Sequence, residues 1–195
     1  MDRSLLVLAT RNPGKLREFQ RLLAPAGITV SPLPDDVDLP PEDGETFAAN
    51  ALPKARTAAA ATGLVAIADD SGIEAEALGG APGVRSARFA GEHATDEENL
   101  AKLMREAHAG SGLRYVCALA RVVPGPDADE RVFVGECRGR LAAHTRGSGG
   151  FGYDPAFLPD GDFGGRTMAE LPDDEKDAVS HRGAAARELL RWLQG

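Results

Sequence analysis

Long apolar runs, an excess of basic charge and a cysteine framework are all missing from this 195-residue sequence. No apolar run approaches the ~20 residues that a helix needs to cross a membrane. The formal net charge of −8 argues against non-specific binding to nucleic acid or to an anionic membrane. It leaves room for a small basic pocket that takes an anionic ligand. Cys117 and Cys137 have no metal-ligand spacing and fall in strand-like segments. They are expected as buried free thiols in a reducing compartment. Internal repeats and low-complexity tails are absent. The first ten residues, Met-Asp-Arg-Ser-Leu-Leu-Val-Leu-Ala-Thr, lack the long apolar region and small-residue cleavage site of a signal peptide. They read as a first strand, and the whole as a cytoplasmic protein with no nucleic-acid or membrane partner.

What is present is ordinary for a soluble globular protein: 43% hydrophobic and 27% charged residues. The length fits a single domain over residues 1–195, or one unit with two lobes. Strands and helices alternate, which favours α/β or mixed α+β. Residues 5–9 are a continuous apolar strand, and Thr10-Arg11-Asn12-Pro13-Gly14-Lys15 follows at once. Leu16, Phe19, Leu22 and Leu23 then recur at helical spacing. Strand, polar glycine loop and helix in that order offer backbone N–H groups and a helix N-terminus to an anion. Lys15 adds a point charge suited to phosphate. The loop also fits a plain turn with a surface lysine. It is not a Walker loop, because G-x-x-x-x-G-K-[ST] is absent.

Residues 64–72 read Leu-Val-Ala-Ile-Ala-Asp-Asp-Ser-Gly. The apolar part, 64–68, predicts a strand buried on both faces. It ends in Asp69, Asp70 and Ser71, at the rim where open α/β sheets bind ligands. Gly72 is expected to allow a sharp turn there, and residues 73–78 to form a separate short strand. Neighbouring side chains on a strand point to opposite faces. One aspartate then faces a site, while the other braces a loop or helps hold a cation. The same letters also suit a solvated turn.

Residues 28–30 read as a second strand and 32–43 as an irregular connection rich in proline and acid, with Asp35, Asp36, Asp38, Glu42 and Asp43. Residues 46–62 predict an alanine-rich helix with Asn50 and Lys54 on one face. Pro53 predicts either a kink or a helix that starts near Leu52. Gly63 suits a C-cap. Thr95-Asp96-Glu97-Glu98 is a capping box, and Leu100, Leu103, Met104 and Ala107 give its helix an apolar face. His93 and His108 read as surface residues. Residues 115–123 and 131–141 predict two long strands joined by a tip at 124–129.

Gly147-Ser148-Gly149-Gly150-Phe151-Gly152-Tyr153-Asp154-Pro155 is a second glycine-rich loop. Flexible backbone with rings for stacking suits a planar ligand such as a base. The rings also suit packing into a core. Residues 157–158 read as a short strand. Pro172 and the acids Asp173, Asp174, Glu175 and Asp177 fit the start of a short helix. Ser180 fits the N-cap of a last helix whose apolar face is Ala185, Leu189, Leu190 and Leu193.

Taken together, these pieces resemble the inosine triphosphate pyrophosphatase family, in its bacterial dITP/XTP pyrophosphatase form. The loop from Thr10 to Lys15 looks like its T-x-N-x-G-K motif. Glu42, Gly44, Thr46, Phe47, Asn50, Ala51, Lys54 and Ala55 match E-x-G-x-T-F-x-x-N-A-x-x-K-A. Ala68-Asp69-Asp70-Ser71-Gly72, Gly80-Ala81-Pro82-Gly83-Val84, Ser86-Ala87-Arg88-Phe89, Gly149 to Pro155 and Ser180-His181-Arg182-Gly183 also match, in order. Pro53 departs from the family's usual helix former, and Arg11 fills a variable slot where the family often has something small, so it is expected to add a contact.

The resemblance implies an elongated mixed β-sheet flanked by helices, two lobes around a central active-site cleft, and a homodimer. It implies hydrolysis of inosine, deoxyinosine and xanthosine triphosphates to monophosphate and pyrophosphate with Mg²⁺. By position, Thr10, Arg11, Asn12, Pro13, Gly14 and Lys15 would hold substrate phosphates, with Asn50 and Lys54 nearby. Glu42 and Asp70 would bind metal, Asp70 would be the general base, and Ser71 would contact substrate. Phe151, Gly152, Tyr153, Asp154, Lys176, His181 and Arg182 would hold the base. The residue types suit the chemistry. A triphosphate needs its charge neutralised by carboxylate-bound Mg²⁺ and by lysines before water attacks. Rival readings are a non-catalytic nucleotide sensor and a pyrophosphatase for pyrimidine or methylated nucleotides.

Overall fold

The computed structural model describes residues 4–125 and 129–195. Met1 to Arg3 of the expected first strand region, and Pro126, Asp127 and Ala128 of the expected hairpin tip, lie outside the described residues. Six strands form one sheet: β1 (Leu5–Leu8), β2 (Thr29–Pro32), β3 (Ala66–Ala75), β4 (Gly112–Val122), β5 (Glu130–Leu141) and β6 (Phe157–Pro159), in the order β2-β1-β3-β4-β5-β6. The sheet is mixed. β1 pairs parallel with β2 and β3, with Leu6 opposite Val30 and Val7 opposite Ala66, whereas β5 pairs antiparallel with β6. The helices are α1 (Pro13–Leu23), α2 (Phe47–Thr62), α3 (Asp96–Glu106), α4 (Asp173–Val179) and α5 (His181–Gln194).

By contacts the chain divides into two compact units. The first holds residues 1–70, 117–135 and 182–195, and the second holds 71–116 and 136–181. In the first unit β1, the start of β3 and the end of β4 are buried on both faces, and their period of two sorts side chains between two cores. Leu6, Leu8, Ile67 and Leu119 pack with Phe19 and Leu23 of α1 and with Ala185 and Leu189 of α5. Val7, Ala66, Ala68 and Ala120 pack with Ala51, Ala55 and Ala58 of α2. Alanines on both sides let that helix lie close to the strands. In the second unit Leu103 of α3 and Ala107, which caps it, join Ile73, Leu113, Tyr115, Phe157 and Met168.

Several expectations need correction. The strand from residue 66 does not stop before the aspartates. β3 runs on through Asp69, Asp70, Ser71 and Gly72 to Ala75, so no turn occurs at Gly72 and no separate strand follows. The polar side chains are matched by partners on each face, so the backbone has no need to leave the ladder. Residues 76–78 form a 3₁₀ turn instead. α2 starts at Phe47, capped by the Thr46 side chain, and contains Pro53 within its length. A start near Leu52 is therefore excluded. Gly63, at φ 67°, closes the helix as expected. The capping box at Thr95 and Glu98 forms, and Cys117 and Cys137 are buried free thiols. Outward and inward residues alternate along the second half of β5.

Candidate active site

Asp69 and Asp70 sit side by side on β3, and strand parity sends them to different cores. Asp69 continues the side of Ile67, facing α1 and α5. Its Oδ2 lies 3.0 Å from Lys15 Nζ on α1 and accepts from Arg182 Nε at 3.2 Å on α5. Arg182 Nη1 donates to Glu18 at 3.0 Å, closing a buried chain of alternating charge from Lys15 to Glu18. Burial alone would raise the Asp69 carboxyl. Lys15, then Arg182 and Lys54, outweigh it and hold the carboxyl well below the usual carboxylate range. Arg182 is held above its ordinary value, because Asp69 and Glu18 outweigh the cost of its burial.

Asp70 continues the side of Ala66 and Ala68, facing α2. Its Oδ2 accepts from Asn50 Nδ2 at 2.9 Å. Lys54, one turn on along α2, donates to the Asp69 carbonyl at 2.7 Å and pairs with Glu42. The spacing of four thus sets both polar groups of α2 against the same stretch of β3. Burial raises the Asp70 carboxyl above its ordinary value, and the nearby Glu42 charge adds to that, against the opposing pull of Lys54. Gly44 belongs to this group for a steric reason. Its N–H donates to Asn50 Oδ1 at 2.7 Å, and a Cβ there would sit 2.7 Å from that same oxygen.

The loop after β1 is organised by Asn12, whose Oδ1 caps α1 by accepting from the N–H groups of Gly14 and Lys15. Thr10 Oγ1 accepts from the Asn12 N–H. These bonds take up the N–H groups of Asn12, Gly14 and Lys15, three of those that the sequence offered to an anion. Arg11, expected beside phosphate, turns to residues 33–37. It donates to the carbonyls of Leu33, Pro34, Asp35 and Val37 at 2.7–3.2 Å.

In the second unit the glycine loop and the last charged segment meet. Asp154 Oδ2 accepts from Lys176 Nζ at 2.7 Å and from the Phe151 N–H at 3.1 Å. Tyr115 donates to Asp154 Oδ1 at 3.1 Å. The Tyr115 ring stacks on His181, with centroids 4.5 Å apart and planes 8° from parallel. Gly150, at φ +72°, leaves no room for a side chain, since a Cβ would collide with the Asp154 carboxylate and approach Lys176 Nζ to 2.8 Å. The two aromatics of the loop divide. Phe151 is half-buried with Lys176 Nζ 5.5 Å from its centroid. Tyr153 packs into the core, and its hydroxyl donates to the Ser86 carbonyl at 2.7 Å. Its hydroxyl is pushed up by burial and by Asp96. Gly152 N–H donates to Asp96. Ser71 is half-buried on β3.

Sequence reasoning missed Glu18 and Tyr115. Glu18 lies beside Phe19 on the buried side of α1, three residues after Lys15, and a buried acid at that place was the available signal. Tyr115 read only as an apolar strand residue. Arg182, grouped with the base-holding residues, has its guanidinium on Glu18 and Asp69.

The chain matches the model of the Ham1 family over residues 6–192. A protein from Streptomyces avermitilis named dITP/XTP pyrophosphatase is 48% identical over 194 residues, covering 95% of this chain and 94% of the relative. One of the same name from Mycolicibacterium paratuberculosis is 48% identical, covering 98% and 96%. Among solved structures, a HAM1 protein from Coxiella burnetii superposes with a TM-score of 0.84 at 40% identity, covering 97% of this chain and 98% of that one. The Staphylococcus aureus Ham1 protein gives 0.79 at 36% identity, with 98% of each covered. With the family model matching residues 6–192 and relatives 48% identical over nearly the whole length, this chain belongs to the Ham1 family.

Proposed function

We propose that the protein hydrolyses purine nucleoside triphosphates with deaminated bases, such as the deoxyinosine and xanthosine forms, to monophosphate and pyrophosphate. The observation that supports it most is the contrast at β3. Asp69 is locked as an anion between cations, while its neighbour Asp70 is buried with a raised pKa beside a second carboxylate. A carboxylate raised toward neutrality is a better base than an ordinary one. The names carried by relatives at 48% identity support the same reading.

Asp70 takes a proton from the attacking water as the water oxygen bonds to the α-phosphorus. The bond to the bridging oxygen breaks, and pyrophosphate leaves. Asn50 holds the Asp70 carboxylate in place, and Lys54 holds Glu42 and the β3 backbone. Lys15, with Asn12 beside it, takes phosphate charge. Glu42 and Asp70 would hold Mg²⁺: both are hard oxygen donors, and Lys54 ties them to one place by pairing with Glu42 and donating to the Asp69 carbonyl beside Asp70. Among the described residues no group of three or more His, Cys, Asp or Glu side chains is assembled for a metal. Mg²⁺ held by these two carboxylates would be completed by phosphate and water. When bound, the ion neutralises triphosphate charge.

Lys176 and His181 are the donors for a 6-oxo group, with Phe151 for stacking. Adenine presents an amino donor at that position and would leave them unpaired; sites of this kind discriminate by up to ~10⁴–10⁵. The test is pyrophosphate release across a panel of triphosphates with and without Mg²⁺. Release from inosine, deoxyinosine and xanthosine triphosphates, abolished by chelator, is expected. Tight binding with no release would make the protein a sensor, and a preference for pyrimidine or methylated nucleotides would replace the substrate class. We also propose that it acts as a homodimer in the cytoplasm.

A further inference from the structure

Tyr115 takes no part in the assignments above, yet it touches both base-side elements of the second unit. Its hydroxyl donates to Asp154 Oδ1, the carboxylate that holds Lys176 Nζ through its other oxygen. Its ring lies flat against the His181 imidazole at 4.5 Å and also packs at 4.5 Å on Phe157, whose side chain is fully buried. A single rigid ring on β4, backed by the core, therefore sets the plane of one donor and the anchor of the other. Lys176 has a long flexible side chain whose position depends on Asp154. Asp154 in turn is held by the Phe151 N–H on Oδ2 and by Tyr115 on Oδ1.

We infer that Tyr115 is a specificity-positioning residue, fixing His181 and, through Asp154, Lys176 in the geometry that reads a 6-oxopurine. This rests on the base-reading role proposed above for those donors. Orientation matters here because hydrogen bonds weaken steeply with misalignment. Selection between a carbonyl and an amino group at one ring position depends on donors that cannot swing away.

The test uses Tyr115→Phe, which keeps the ring and removes the hydroxyl, and Tyr115→Leu, which also removes the stack. Inosine and adenosine monophosphates are titrated calorimetrically into each protein, and inhibition by inorganic pyrophosphate is measured alongside hydrolysis. Tyr115→Phe is expected to weaken inosine monophosphate by about tenfold, the usual loss of a hydrogen bond to a charged group. Adenosine monophosphate and pyrophosphate should change by less than about twofold. Tyr115→Leu should narrow the inosine-to-adenosine ratio further, with the loss in hydrolysis appearing in KM before kcat. Unchanged ratios in both variants would overturn the inference while leaving the hydrolytic reading intact. Equal weakening of pyrophosphate would also overturn it, by showing a general loss of structure. Wild-type protein that prefers inosine monophosphate but releases no pyrophosphate from its triphosphate would remove the hydrolytic reading and leave the inference standing. Wild-type protein without that preference would overturn the inference.

Discussion

Asp69 and Asp70 are neighbours in the chain and opposites in circumstance. The side of β3 that carries Asp69 faces α1 and α5, where Lys15 and Arg182 meet its carboxylate and Glu18 completes the row. The side that carries Asp70 faces α2, where its nearest charged company includes another carboxylate, Glu42. One environment stabilises the anion and the other resists it. The same residue type, one position apart, is an anion held between cations on one face and, in the proposed reaction, the base on the other. Burial alone does not separate them, since both are nearly inaccessible, at 1% and 5% exposure. What separates them is how far nearby cations offset that burial: Lys15, Arg182 and Lys54 outweigh it at Asp69, whereas at Asp70 the pull of Lys54 is opposed by Glu42 and burial prevails.

Asp70→Asn should break the comparison most severely on the functional side. Turnover is expected to fall by about 10³-fold, the range for loss of a general base, while the melting temperature stays near or slightly above that of the wild type. Wild-type-like kcat would remove Asp70 from the base role. Asp69→Asn should do the reverse. It leaves Lys15 and Arg182 facing a neutral amide, and breaking a buried ion network costs about 3 kcal/mol or more. The pH dependence fixes the sign. A depressed folded pKa means that the stability Asp69 contributes is present above the unfolded aspartate value of ~3.9 and is lost as pH falls through the folded value. The gap between wild type and Asp69→Asn in denaturant titrations should therefore be full at neutral pH and close only well into acid. Asp70, raised rather than depressed, should show the opposite sign, costing stability at neutral pH and relieving that cost on protonation. A gap that grows with acid in the Asp69 variant would contradict the arrangement.

Lys15→Ala sharpens the comparison from the ligand side. Lys15 serves Asp69 in the structure and phosphate in the proposed reaction. Its loss should raise KM for a triphosphate by about tenfold and leave binding of the bare nucleoside nearly unchanged. Equal losses for nucleoside and triphosphate would show that it acts only through Asp69. Arg11→Ala is the mildest. The half-exposed guanidinium ties the carbonyls of residues 33–37, which water can satisfy in its absence, so about 1 kcal/mol is expected. Faster amide hydrogen exchange in residues 33–44 would report it, with triphosphate KM within about twofold. A larger rise in KM would return Arg11 to the phosphate.

Much of this site was legible in the chain. The four-residue spacing of Asn50 and Lys54 placed both on one helix face, and the adjacency of two aspartates on a strand required them to part. The rings at 151 and 153 were ambiguous, because the pattern Phe-Gly-Tyr cannot say which ring turns inward. Phe151 stays half-buried beside Lys176, while Tyr153 reaches the Ser86 carbonyl, 67 residues away in sequence. Arg11 was ambiguous for a similar reason. Its neighbours in the loop suggest phosphate, but its guanidinium reaches carbonyls 22 to 26 residues on.

The amino-acid sequence by itself determined the local rules: where apolar runs make strands, the capping box at Thr95 and Glu98, and that Asp69 and Asp70 point apart. Those follow from backbone periods and side-chain chemistry within a few residues. Only the tertiary structure decided which aspartate meets Lys15 and Arg182 and which meets Asn50 and Glu42. It also decided that β3 passes straight through both. Charge partners are contributed by α1, α2 and α5, as far apart in the chain as Glu18 and Arg182, and the electrostatic field at a buried carboxylate is set by what the fold brings there.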